Sequence, residues 1–126
     1  MTRTMIALAG LALATPAAAQ TQAQMSVSAG NAFRAADAAM TREWRATYAY
    51  MKRLDAGDTS RGGGFGFAPA VLESQRAWLA YRDKECAIEG GEFARGSVAP
   101  MTIAQCRTRL TQARTTQLRT LRWRRP

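Results

Sequence analysis

The sequence predicts an all-α domain, a small antiparallel three-helix bundle whose second and third helices are joined by a disulfide. Three observations predict it. Apolar residues recur at steps of three and four along three long stretches, the pattern of helices with one buried face, and no stretch alternates as a strand would. Glycine-rich segments at 57–66 and 90–96 separate those stretches. The two cysteines, Cys86 and Cys106, fall at the end of the second stretch and near the start of the third, where a helical hairpin brings them together.

A chain of 126 residues predicts one domain. Residues 1–19 read as a signal peptide: Arg3 precedes an apolar run over residues 5–14, and Ala17, Ala18 and Ala19 suit a signal peptidase. The run is shorter than the roughly 20 residues that cross a bilayer core, so the mature chain, 20–126, is expected not to span a membrane. No cysteine follows the run to accept a lipid. The expected location is the periplasm, or the medium, after cleavage near Ala19. Export makes a cysteine pair a disulfide rather than a redox or metal site. Closing a loop of this length stabilises the fold by roughly 3 kcal/mol.

The first helix is expected to start at Thr21-Gln22-Ala23-Gln24, which has the form of a capping box. Met25, Ala29, Phe33, Ala36, Met40, Trp44, Tyr48, Met51 and Leu54 then make its apolar stripe. Arg34, Arg42, Glu43, Arg45 and Lys52 lie on the other face. Gly30 weakens the helix by about 1 kcal/mol relative to alanine. Asp55-Ala56-Gly57-Asp58 ends it.

The following loop, through Gly62-Gly63-Gly64-Phe65-Gly66-Phe67, is no phosphate loop: it lacks the Gly-Lys-Ser/Thr ending and follows no strand. Phe65 and Phe67 are expected to fold onto the bundle, and a loop this long is also a place for a partner to touch. Pro69 suits the first turn of the second helix. On that helix Val71, Leu72, Gln75, Trp78, Leu79, Arg82 and Cys86 share a face, with Glu73–Arg76 and Arg82–Glu85 spaced to pair and Arg82 placed to meet the Trp78 ring. Gly90-Gly91 closes it. Ser97 is expected to cap the third helix and Pro100 to sit in its first turn. Ile103, Cys106, Leu110, Ala113, Gln117 or Leu118, and Leu121 make its stripe.

Charge and missing residue types narrow the chemistry. The formal charge is +9, from 18 basic and 9 acidic residues with no histidine. Arg107, Arg109, Arg114, Arg119, Arg122, Arg124 and Arg125 follow the second cysteine with no acid among them, leaving the rest of the mature chain nearly neutral. Arg119, Arg122, Trp123, Arg124 and Arg125, in a basic tail at about 119–126, are therefore the candidate contact to an anionic envelope surface. The lack of histidine removes Ser-His and Cys-His pairs, histidine metal sites and the commonest general base. Glu85, Glu89 and Glu92 crowd a helix end without an evident cleft, and neither Lys52 nor Lys84 adjoins an elbow-like serine. No enzyme, cofactor or metal is expected. Nucleic acid is not expected either, since no recognition helix or stacking platform is present.

Leu72-Glu73-Ser74-Gln75-Arg76-Ala77-Trp78-Leu79-Ala80-Tyr81-Arg82-Asp83-Lys84-Glu85-Cys86, then Gly96-Ser97-Val98-Ala99-Pro100-Met101, Cys106, Leu110-Thr111-Gln112-Ala113-Arg114 and Leu118, resemble the lysozyme inhibitor LprI-like family of bacterial envelope proteins. Thr21 to Met25 and Ala36-Asp37 join the match, so it covers essentially the whole mature chain. The resemblance implies a helical, exported, disulfide-bonded protein whose motif residues here are Gln75, Arg76, Trp78, Tyr81, Arg82 and Asp83. It also implies a binding module that inhibits a lysozyme or another cell-wall muramidase by protein–protein contact, through a loop such as 57–67 or 90–100. The other reading is an envelope interaction protein whose cationic C-terminal helix holds anionic lipid or wall polymer without inhibiting anything. One departure is Ser28, near which many relatives carry a further cysteine; the second bridge that it makes in them has no counterpart here.

Overall fold

The computed structural model describes residues 16–122, with side chains from Thr21 onward. Residues 1–15 of the expected signal peptide, and Trp123, Arg124 and Arg125 of the basic tail, lie outside the described residues. The described residues form three helices, α1 (Pro16–Gly57), α2 (Phe67–Gly91) and α3 (Ala99–Arg122), and no strand occurs among them. Each helix packs against the other two.

α1 begins earlier than the capping box implies. Pro16 occupies its first position, where a missing N–H is harmless, and three strong helix formers follow, so Thr21-Gln22-Ala23-Gln24 lies inside the helix rather than at its start. The helix continues unbroken through Gly30. Its buried positions are Ala29, Ala36, Met40, Thr47 and Met51. Met25, expected in the stripe, is 44% exposed. Register explains it: the pairings Met40–Gln75 and Asp37–Arg82, carried back along α1, reach the last turn of α2 near Ala29. The opposite face departs in one member, since Glu43 turns inward and keeps only 12% of its side chain exposed.

The end of α1 organises the start of α2. Gly66 precedes α2 in the left-handed region, φ 79°, and has no side chain to cap it. The Asp55 carboxylate substitutes from the last turns of α1, accepting from the Phe67 and Ala68 N–H groups at 2.7 Å each. Between them Gly62, Gly63 and Gly64 also have positive φ, and a Cβ on Gly64 would strike the Asp58 carboxylate. Phe67 packs on the cluster of Met51, Ala68 and Val71. Phe65 does not fold onto the bundle as expected: it is 72% exposed, because left-handed glycines on both sides turn it outward.

α2 buries Ala68, Val71, Gln75, Arg82, Cys86 and Gly90, the face expected from the spacing. Gly90 is required by close approach, for a Cβ there would overlap the Ile103 side chain. The disulfide Cys86–Cys106 links α2 to α3, with Cα atoms 5.5 Å apart. α3 differs from its expected phase. It buries Cys106, Thr111, Arg114 and Leu118, while Ile103, Leu110 and Leu121 are half-buried and Ala113 and Gln117 are exposed. The physical reason lies across the interface, where Thr111 and Arg114 meet polar partners that no leucine could satisfy. α3 also starts at Ala99, with Thr102 N–H donating to the Val98 carbonyl, so Ser97 stands outside and is exposed.

Gly90–Ile103, Cys86–Cys106 and Gln75–Arg114 connect α2 and α3, with numbers falling on one as they rise on the other. Between α1 and α3 the numbers rise together, from Phe33–Arg107 to Thr47–Leu118.

Candidate functional site

The expected motif residues divide between the inside and the outside of the molecule. Positions 75, 78, 82 and 86 recur at three and four, so Gln75, Trp78 and Arg82 face inward, while Arg76 and Tyr81 point to solvent and Tyr81 is 52% exposed. Arg82 is the centre of the inner set. Its Nη1 donates to Asp37 Oδ1 at 3.1 Å and to Thr111 Oγ1 at 3.4 Å, and its Nε donates to Asp83 Oδ1 at 3.1 Å. Asp83 also holds Arg107, 3.3 Å away. The expected Arg82–Glu85 pair gives way to these, since Asp37 and Asp83 are within reach of the inward-pointing guanidinium.

The guanidinium groups alternate with aromatic rings across all three helices. Arg107 lies over Phe33 at 5.8 Å, Arg82 over Phe33 at 5.2 Å and over Trp78 at 5.3 Å, and Arg114 over Trp78 at 5.8 Å. Each such contact contributes about 0.5–2 kcal/mol, more where water is excluded. Arg114 continues the network: Nε donates to Gln75 Oε1 at 3.0 Å, Nη2 to Ser74 Oγ at 3.0 Å and Nη1 to Gln117 Oε1 at 3.4 Å. Burial lowers its pKa from the ordinary arginine value through desolvation. Gln75 in turn donates to Met40 Sδ at 3.6 Å.

The described arginines near the end of α3 are engaged by acids more than their composition implies. Arg122 pairs with Glu43 Oε1 and donates to Thr47 Oγ1 at 3.0 Å, and Arg119 lies 3.4 Å from Glu43 Oε2. Arg109 pairs with Glu89. Spacing held a signal for Glu43, since Met40, Glu43, Thr47 and Met51 recur at three and four. It held one for Arg114 too, four residues from both Leu110 and Leu118.

Two of the exposed features bear on binding. One is Phe65, its ring centroid 4.9 Å from that of Phe67. The other is the outer face of α1, where Arg34, Arg42, Arg45, Lys52 and Arg53 are all exposed and none has a carboxylate at ion-pair distance among the described residues. At 3.6 residues per turn these five fall within an arc of about 100° and span about 28 Å. The acids of α1 lie on the opposite side, Asp37 on Arg82, Glu43 on Arg119 and Arg122, and Asp55 on the start of α2.

No group of three metal-ligating side chains occurs among the described residues. A groove of about 450 Å³ between α1 and α3 is lined by Ala32, Ala35, Ala36, Ala39, Gln112 and Thr115, none of which titrates. No described helix is long and apolar enough to cross a membrane.

A family model described as Lysozyme inhibitor LprI matches residues 13–118. An uncharacterized protein of Rhizobium meliloti (strain 1021) is 35% identical over 105 residues, 82% of this chain and 75% of the relative. No solved structure matches the chain.

Proposed function

This chain belongs to the lysozyme inhibitor LprI family, and on that premise we propose that it is an exported binding module that restrains a lysozyme or another cell-wall muramidase by protein–protein contact. The family match over residues 13–118 carries this reading. An antiparallel bundle, with α2 running against both α1 and α3, is the frame we assign to it. Cleavage near Ala19 would remove the first turn of α1 and leave Thr21-Gln22-Ala23-Gln24 at the new helix end, as the capping box requires.

The loop at 58–66 is the element we assign to the target. A muramidase cleft binds sugar and carries two carboxylates. Phe65 offers that cleft an aromatic surface, and exposed Arg61 offers it a cation. The other loop presents Phe93 at only 43% exposure, against 72% for Phe65. Asp55 anchors the C-terminal end of the Phe65 loop at the start of α2, which limits the entropy lost on binding. Lysis of cell-wall suspensions by several lysozymes tests the reading. Micromolar protein should slow lysis, and Phe65→Ala should weaken the effect about tenfold or more at unchanged melting temperature. No slowing of any lysozyme removes the reading, and slowing untouched by Phe65→Ala moves the contact off this loop.

A second reading, adhesion to an anionic envelope surface, is favoured by the segregated charge of α1. Arg119 and Arg122 of the expected C-terminal contact meet Glu43, so we place the weight of this reading on the face from Arg34 to Arg53. Each cation near an anionic membrane contributes about 1 kcal/mol at low salt. The protein should therefore sediment with phosphatidylglycerol vesicles and be released by salt, and Arg42→Glu/Arg45→Glu/Lys52→Glu should stay in solution. Equal sedimentation of the two forms rejects this reading.

A further inference from the structure

Among the described residues of α3, Arg107, Arg109, Arg119 and Arg122 each meet a carboxylate: Asp83, Glu89 and, for the last two, Glu43. Arg114 meets none, and it is the one that is buried, at 8% exposure. That reverses the usual arrangement, in which a cation taken out of water has an ionic partner while surface cations do without. Its hydrogen-bond partners are the neutral groups of Gln75, Ser74 and Gln117. They engage three of the five guanidinium N–H groups.

Arg114 also lines a pocket. It holds about 290 Å³ and is lined by Arg114, Ser74, Gln117, Thr116, Thr120 and Leu121. Ser74 accepts from Arg114, so its own hydroxyl proton is free to be donated, and Gln117 accepts through Oε1, which leaves its NH₂ group to donate. The hydroxyls of Thr116 and Thr120 are already given to backbone carbonyls of α3. Guanidinium, hydroxyl and amide donors thus converge on one small space with no negative charge lining it.

We propose that this pocket between α2 and α3 is a binding site for a single oxyanion, a carboxylate or a phosphate group, held by Arg114, Ser74 and Gln117. The planar guanidinium fork suits either group, since both present two oxygens at matching spacing. The site is independent of the Phe65 loop and of the α1 face, and it does not rest on inhibition of any enzyme.

Melting of the full chain in sodium phosphate and in sodium acetate, each against sodium chloride of equal ionic strength, tests the assignment. One or both anions should raise the melting temperature, by about 6 °C at tenfold excess over Kd and further with the logarithm of concentration beyond it. The anion that does so names the group. Gln117→Glu places a carboxylate where Oε1 already meets Arg114, so this variant should melt higher than wild type without added anion and should lose most of the response. Ser74→Ala takes one acceptor from the buried guanidinium, so it should melt several degrees lower in chloride and should bind the anion several-fold more weakly. A wild-type protein that responds to neither anion overturns the proposal, as does a Gln117→Glu variant that responds like the wild type.

Discussion

Arg82 is the residue that ties the three helices together, through Asp37 on α1, Asp83 on its own helix, Thr111 on α3 and the rings of Phe33 and Trp78. Its side chain is 8% exposed, whereas Asp37 and Asp83 are 43% and 49% exposed. Arg82→Met should therefore cost about 2–3 kcal/mol in urea unfolding, at or below the lower end for a fully buried pair, because both carboxylates left behind regain water. Arg82→Lys keeps the charge but loses the planar fork, and about 1–2 kcal/mol of the same measurement. Arg114 sets a pH expectation of the opposite sign to that of a paired base. With its folded pKa lowered by burial, the unfolded chain holds the proton to higher pH, so stability rises with pH only between the two values, in strongly alkaline solution. Between pH 5 and 9 the cost of burying this charge is fully present, and the titration of Arg114 should leave the urea midpoint unchanged across that range. Arg82 was legible beforehand as a polar member of the inner face. Its choice of Asp37 over Glu85 was not, because that depends on which helix lies opposite.

At the scale of the element, the start of α2 depends on a residue that precedes it by twelve positions. Gly66 is left-handed, which its own lack of a side chain allows, and the cap it cannot supply comes from Asp55. Asp55→Ala should destabilise the fold by about 1–2 kcal/mol, as loss of an N-cap does, and should speed proteolysis within the 58–66 loop. Asp55→Asn, which keeps a hydrogen-bond acceptor without the charge, should lose less. The end of the first helix was legible at Asp55 to Asp58, since glycine and aspartate mark it, but the capping role was not, because a side chain from the preceding helix leaves no local spacing to read. α3 shows the same limit. Its start follows from Ser97 and Pro100 to within two residues, but two neighbouring phases of a helix rich in threonine and arginine bury similar apolar area. Contacts with Arg82 and Gln75 settle which one faces inward.

On the scale of the whole molecule, the apolar core is small, centred on Met51, Ala68 and Val71, and polar or sulfur-bearing side chains make up much of the rest of the interior. A covalent link between α2 and α3 then matters more than in a larger domain. Cys86→Ser/Cys106→Ser should lose about 3 kcal/mol against the oxidised wild type, and reduction by dithiothreitol should lower the wild-type melting temperature without affecting the double variant. The loss should be largest at the end of the bundle that holds Gly90 and Ile103, seen as faster hydrogen exchange there.

Helix number, helix content and the joining of Cys86 to Cys106 were determined by the sequence itself, because apolar periodicity and cysteine position are local properties that hold whatever the helices pack against. Only the tertiary structure decided where the charges went. It turned Glu43 inward to the basic end of α3, left Arg114 buried without a carboxylate, exposed Phe65 and aligned five cations without a carboxylate on the outer face of α1. The energy of a charge depends on the partners and the water that reach it, and those are set by chain segments 30 to 80 residues away, which no local spacing records.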